Sequence, residues 1–384
     1  MPSQAGGSVK FPVRIRNKPM AITHFAPDPL RQTVEAATGG ENTVLYDRSG
    51  NPSVMVVVPR FNLEDIDPKL GSGPHPAFIV HGRTTTEFFI GKFQASLVSE
   101  MAVSVPGVDP AVRIDWPSAS RACSLKGDGW HMTTNAEWSA IALLAHRRGV
   151  DPHGNTQYGR DYSHPYETGR RQDGLAPGMA SGEGRHLTGS GPASWYHSGE
   201  RTGIADLCGN VWEWQRGLRL VEGEIQIIPD NNAAEDINHG QGSPLWRALL
   251  ADGSLGAPGA EGTLKWEAEN ADGSGTPRLS TSVTCRSDGS TYATTKFSSI
   301  TMNGSSAPRL AKVLGLYPLV PSDGRGSVYI RNVGVRYPFR GGAWIHGENA
   351  GLFALNMADG PSVALPYLGF RVAYQSRADG HGTH

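Results

Sequence analysis

Cysteine is nearly missing from this chain: three residues in 384, Cys123, Cys208 and Cys285, too few and too scattered for a disulfide framework or a paired CxxC zinc site. Charge is also scarce. Only 18% of residues are charged, and 35 basic residues balance 36 acidic ones without long runs of one sign, so the electrostatic footprint of a nucleic-acid or anionic-membrane binder is absent. No apolar run approaches the length of a membrane span, and Met1 to Gly7 lack the apolar core of a signal peptide. A partner of this chain must therefore be recognised by shape and local chemistry.

Glycine and proline are plentiful, 49 and 27, and suit short strands joined by ordered loops; the 38% hydrophobic content argues against disorder. Strands are expected at Phe11 to Ile15 and Ser53 to Val58, the second after the turn Asp47 to Pro52, and again from Glu87 to Gln94. Asp115-Trp116-Pro117 has the signature of a helix start. Thr134-Asn135-Ala136-Glu137 has the spacing of a capping box, with Trp138, Ile141, Ala142 and Ala145 on one face and Gly149 as a stop. Residues 150 to 200 show no period and read as an ordered loop. Residues 221 to 335 read as a long insertion with hairpins of its own and a short helix over Pro244 to Leu250.

Two glycine- and tryptophan-rich stretches stand out. Asp206 to Trp214 alternates, so Leu207, Val211 and one or both of Trp212 and Trp214 point inward, and each indole needs a hydrogen-bond partner from Glu213 or a carbonyl. Arg340-Gly341-Gly342-Ala343-Trp344 pairs backbone freedom with an arginine whose fork of donors suits several carbonyls. Both stretches, and Leu368-Gly369-Phe370-Arg371-Val372, read as scaffold.

Together with Trp130 to Trp138, these stretches resemble, in order and over roughly residues 85 to 375, the C-type-lectin-like fold of the formylglycine-generating-enzyme (sulfatase-modifying factor) type. That resemblance implies an α+β, loop-rich domain. Its expected boundaries are an N-terminal extension with a hairpin over residues 1–80 and the lectin-like domain over 81–384, with the insertion at 221–335 and a variable region at about 340–374. The enzymes of the family hold copper(I) with a thiolate pair after Arg-Gly-Gly, yet no cysteine lies between Arg340 and Tyr374. The iron-dependent sulfoxide synthases need a histidine triad from a companion domain, and no two of the 13 histidines are four residues apart. By analogy with the enzyme, calcium would use Asp206 and the Leu207 carbonyl, with the other ligands unplaced. No metal and no cofactor is expected.

The stretch Arg340 to Asn356 resembles the frame R-G-G-x-W-x-x-G-x-N-A-G-x-F-A-L-N of variable proteins from diversity-generating retroelements, in which adenine-directed mutagenesis rewrites open positions within a fixed frame. The resemblance implies open, ligand-binding positions at Ala343, Ile345, His346, Ala358, Asp359, Val363, Leu365, Pro366 and Tyr367. Glu348, Leu352, Gly360 and Ala364 are less firmly matched. The implied scaffold is Trp212, Trp214, Arg340, Gly341, Gly342, Trp344, Phe353, Phe370 and Arg371. Randomising the adenines of an AAC codon yields every residue type in the open set and never Lys, Glu, Gln, Met or Trp, none of which is in it. The expectation is a non-enzymatic receptor-recognition protein whose partner is an unknown protein or cell-surface ligand, soluble and either cytoplasmic or exported by a route such as a phage particle. A metal-dependent oxidase and a structural phage or surface protein are the alternatives.

Overall fold

The computed structural model describes residues 28–286, 291–304, 306–320 and 324–376, so the expected strand at Phe11 to Ile15 lies outside it. Three helices matter for the site: α1 (Pro29–Thr38), α2 (Trp116–Ser124) and α3 (Asn135–Arg147). The strands that matter are β1 (Asn42–Tyr46), β2 (Pro52–Pro59), β3 (Glu87–Gly91), β4 (Trp130–Met132), β5 (Trp212–Trp214), β6 (Ala293–Lys296), β7 (Ser327–Ile330), β8 (Phe339–Gly341), β9 (Gly351–Met357), β10 (Leu368–Phe370) and β11 (Val372–Tyr374). The architecture is mixed α and β, dominated by short strands and ordered loops. Among the described residues no helix is long and apolar enough to cross a membrane.

Helix starts follow the sequence signals. Asp115 caps α2 by accepting from the Ser118 amide at 2.9 Å, with Pro117 in the first turn. The capping box of α3 is complete: Thr134 Oγ1 accepts from Glu137 N at 3.1 Å, and the Glu137 carboxylate accepts from Thr134 N at 2.9 Å. Trp138, Ile141, Ala142 and Ala145 are buried as their spacing predicts, and the Trp138 indole donates to the Leu352 carbonyl at 2.8 Å, fastening α3 to β9.

One five-stranded sheet runs in the order β1-β2-β3-β11-β4. The hairpin β1–β2 is thus the outer part of the sheet whose interior holds β11. A six-stranded sheet runs β6-β7-β9-β8-β5-β10. Its registers place Val328, Leu355, Arg340 and Glu213 in one row facing the interior and Tyr329, Asn356, Phe339 and Trp214 in the adjacent row facing the other way. The interior row meets α3. Arg340 is fully buried and donates to Asn135 Oδ1 and to the carbonyls of Leu314 and Gly315 at 2.7–3.2 Å, as its fork predicts. Arg371 forms a buried pair with Glu213 at 2.6 and 2.8 Å and donates to the carbonyls of Gly91 and Ala205.

Residues 221–335, expected as an insertion, divide between two sheets. Most of the segment builds an eight-stranded sheet on the strand Leu218–Val221, but β6 and β7 join the six-stranded sheet, with β7 parallel to β9. The stretch Pro244 to Leu250 is not a helix; Arg247–Leu249 is a strand paired on both sides. A short apolar run suits either state, and here open sheet edges on both flanks decide it.

Candidate functional site

The outward row of the six-stranded sheet is covered at one end and open at the other. At the covered end Trp214 and Phe370 pack with Trp116 and Tyr337, and the Trp214 indole donates to the Ile114 carbonyl at 3.0 Å. At the open end Tyr329, Asn356 and Phe339, with Trp212 beside them, floor a cavity of about 170 Å³. Its walls are His346 from the loop after β8, Ala358, Asp359, Leu365 and Tyr367 from the loop between β9 and β10, and Tyr292 and Arg331, which flank β6 and β7.

The wall between β9 and β10 has no regular structure, as Pro366 beside Leu365 requires, yet its main chain is fixed. The carbonyl of Asp359 accepts from Tyr337 N at 3.0 Å, Pro361 from Trp116 N at 3.0 Å, Leu365 from Arg113 N at 2.9 Å and Tyr367 from Trp212 N at 2.8 Å. The donors are all amides of the surrounding scaffold. Arg185 Nη1 adds a long contact to the Pro366 carbonyl at 3.5 Å and is itself held by Asp109 and Glu183. The other wall is pinned in the same way, with Trp344 N donating to the Asn210 carbonyl at 3.0 Å and Gly347 N to that of Thr156 at 3.0 Å. None of these bonds uses a side chain of an open position.

Inside the cavity the groups are neutral or mutually compensated. Burial pushes the His346 pKa down to about 4, so the ring is uncharged at neutral pH. Ala343 N faces its Nδ1 at 3.2 Å and the Trp212 indole its Nε2 at 3.4 Å; a neutral imidazole has one acceptor nitrogen, so either tautomer satisfies one of the two. Burial raises Asp359 despite the opposing pull of Arg331, 3.7 Å away, and of Arg336. Burial also pushes Tyr329 up to about 12 and raises Tyr367, leaving phenols that donate. The arrangement offers aromatic faces, a few hydrogen-bonding groups and little net charge.

The open positions named from sequence fall into two sets. Ile345 is 42% exposed, and His346, Asp359, Val363, Leu365, Pro366 and Tyr367 are half-buried; His346, Asp359, Leu365 and Tyr367 line the cavity, whereas Ile345, Val363 and Pro366 are not part of its lining. Ala343 is fully buried and Ala358 is 3% exposed, so in this chain neither presents a side chain to solvent. The named scaffold residues Trp212, Trp214, Arg340, Gly341, Gly342, Trp344, Phe353, Phe370 and Arg371 are all buried. Sequence reasoning missed Tyr292, Tyr329, Arg331, Phe339 and Asn356 as lining residues. The one available signal was Tyr329 between Val328 and Ile330, a strand pattern that puts the tyrosine on the opposite face.

Asp206, the residue singled out for calcium by analogy, is buried and bonded to His186 Nε2 at 2.9 Å and Gly189 N at 2.8 Å. Among the described residues no group of three or more His, Cys, Asp or Glu side chains is arranged to hold a metal. Burial pushes the thiols of Cys123 and Cys208 up to about 12.

No family model matches the chain, and no curated protein matches it. Among solved structures the chain is similar to Treponema denticola variable protein 1, at 12% identity and a TM-score of 0.35, over 87% of this chain and 99% of that one. It is similar to PvdO from Pseudomonas aeruginosa at 14% identity and a TM-score of 0.29, over 87% of this chain and 98% of that one. A third similar structure is the Major Tropism Determinant I1 variant, at 11% identity and a TM-score of 0.29, over 83% of this chain and 54% of that one.

Proposed function

We propose that the chain is a non-enzymatic ligand-binding protein, a variable protein of a diversity-generating retroelement on a C-type-lectin-like frame of the formylglycine-generating-enzyme type, and that the cavity is where it binds. The observation that carries this reading is the main-chain anchoring of both walls. A loop whose carbonyls are held by scaffold amides keeps its path whatever side chains it bears, which is the physical requirement for a surface that changes its contacts without unfolding.

The ligand contacts assigned on this reading are Ile345, His346, Asp359, Val363, Leu365, Pro366 and Tyr367, with Ala343 and Ala358 as further open positions filled by small residues in this copy. Tyrosine and leucine around a depression of low net charge favour a protein ligand, because such surfaces gain most from apolar area and rigid aromatic contact.

Deep sequencing of the 3′ end of the gene in a population of its source tests the reading. Substitutions concentrated in the codons for positions 343 to 367, with Trp344, Phe353 and Phe370 fixed, are the expected result. A uniform sequence without an adenine-rich near-copy beside the gene would remove the diversification and favour a fixed structural or enzymatic role.

A further inference from the structure

The open positions line only one side of the cavity. The other side comes from the insertion, as Tyr292, Tyr329 and Arg331. The two tyrosines stand on or beside strands of the six-stranded sheet rather than on the variable loops. Tyr329 sits in β7 between Val328 and Ile330, which are buried in the core, and β7 is held in register on both sides: Thr294↔Tyr329 against β6 and Tyr329↔Asn356 against β9. Tyr292 immediately precedes β6, is 43% exposed, and meets the Tyr329 ring edge-on at 5.5 Å. The Arg331 guanidinium lies 6.0 Å from the Tyr292 ring and donates to the carbonyls of Thr291 at 3.0 Å and Ala358 at 3.2 Å. That last bond ties the insertion to the variable loop through a main-chain atom that any residue at position 358 supplies.

Resting on the function proposed above, we infer that the insertion provides the constant half of the binding site. Tyr292 and Tyr329 form a fixed aromatic wall that receives one protruding apolar or aromatic side chain of a protein ligand, while positions 345 to 367 decide which protein is held. A cavity of about 170 Å³ suits one side chain rather than a loop or helix. Tyrosine faces accept any apolar partner and lose little freedom on binding when they stand on ordered strands. In this sequence Arg331 is compensated by Asp359, a residue of the variable half, so the two tyrosines supply the part of the wall that carries no charge. Arg331 itself is a positioning residue for the loop.

The test uses the full-length chain with Ile345, His346, Asp359, Val363, Leu365, Pro366 and Tyr367 randomised, displayed, and selected against two unrelated folded proteins, lysozyme and streptavidin. Tyr292→Ala, Tyr329→Ala and Tyr329→Phe are then introduced singly into binders of each, with thermal unfolding followed alongside. Each alanine variant is expected to weaken binding to both targets by about ten-fold or more, and Tyr329→Phe by less than about three-fold. Tyr292 is far enough out of the core that its variant decides the matter even if Tyr329→Ala unfolds. Binders that lose less than about two-fold on Tyr292→Ala overturn the constant-wall inference and leave the binding function standing. A folded library that yields binders to neither target removes the binding function, and this inference with it.

Discussion

Replacing three of the proposed ligand contacts at once, Ile345→Ser, Asp359→Asn and Tyr367→Ser, should cost less stability than the single buried change Arg371→Met. Ile345 is 42% exposed, and a surface substitution of that kind costs about 0.5 kcal/mol. Asp359 loses a 3.7 Å ion pair with Arg331 between partly exposed partners, about 0.5 kcal/mol. Tyr367 loses an edge contact with His346, ring centroids 6.0 Å apart, and part of its packing, about 1 kcal/mol. The sum is about 2 kcal/mol, because the four scaffold-to-loop amide bonds survive all three changes. Arg371→Met leaves Glu213 charged and buried and strips donors from the carbonyls of Gly91 and Ala205, which costs about 3–5 kcal/mol. Urea unfolding followed by tryptophan fluorescence and by far-UV circular dichroism measures both variants against the parent. A triple variant that falls as far as Arg371→Met, or that unfolds in a separate early transition, would show that the side chains hold the loops in place and would refute the argument from main-chain anchoring.

Gly342→Ala should destabilise by about 2 kcal/mol or more in the same assay, since φ is +87° and the added methyl would collide with Ala350. Stability should fall as pH drops from about 6.5 to 4. Burial holds His75 at about 4 and His197 and His239 at about 3, so in that window the unfolded chain takes up protons that the folded chain refuses. Below it, loss of the depressed carboxylates Glu137 and Asp206 continues the decline, and a urea midpoint unchanged between pH 7 and pH 5 would contradict the histidine part. A thiol reagent should label Cys285 alone in the native protein and all three cysteines in denaturant; rapid native labelling of Cys123 or Cys208 would contradict their burial.

What could be read from sequence was what local chemistry dictates. The capping box at Thr134, the cap at Asp115 and the turn before Pro52 each depend on neighbours within a few residues, and each is present. Arg340 was read as a donor to several carbonyls because its geometry leaves few other uses when buried. The hidden part was registry between distant strands. Nothing within the stretch from Ser327 to Ile330 says that it lies beside Gly351–Met357, and without that pairing Tyr329 and Asn356 cannot be seen as neighbours in one cavity. The same blindness set Pro244 to Leu250 as a helix, since its pairing partners lie elsewhere in the chain. Tryptophan hydrogen bonding was half anticipated: Trp214 found a carbonyl, while Trp212 faces His346, and Glu213 serves Arg371 instead.

The strand β11 comes after both loops that wall the cavity and lies between β3 and β4 inside the five-stranded sheet, with Arg371 just before it closing on Glu213. A copy of the gene that loses its reading frame anywhere between positions 343 and 367 therefore encodes a protein without an interior strand and without the partner of a buried carboxylate. On the function proposed above, folding itself acts as a proofreader of the rewritten end: only chains translated in frame through β11 can complete the sheet, and faulty ones are left to proteolysis before they meet a ligand.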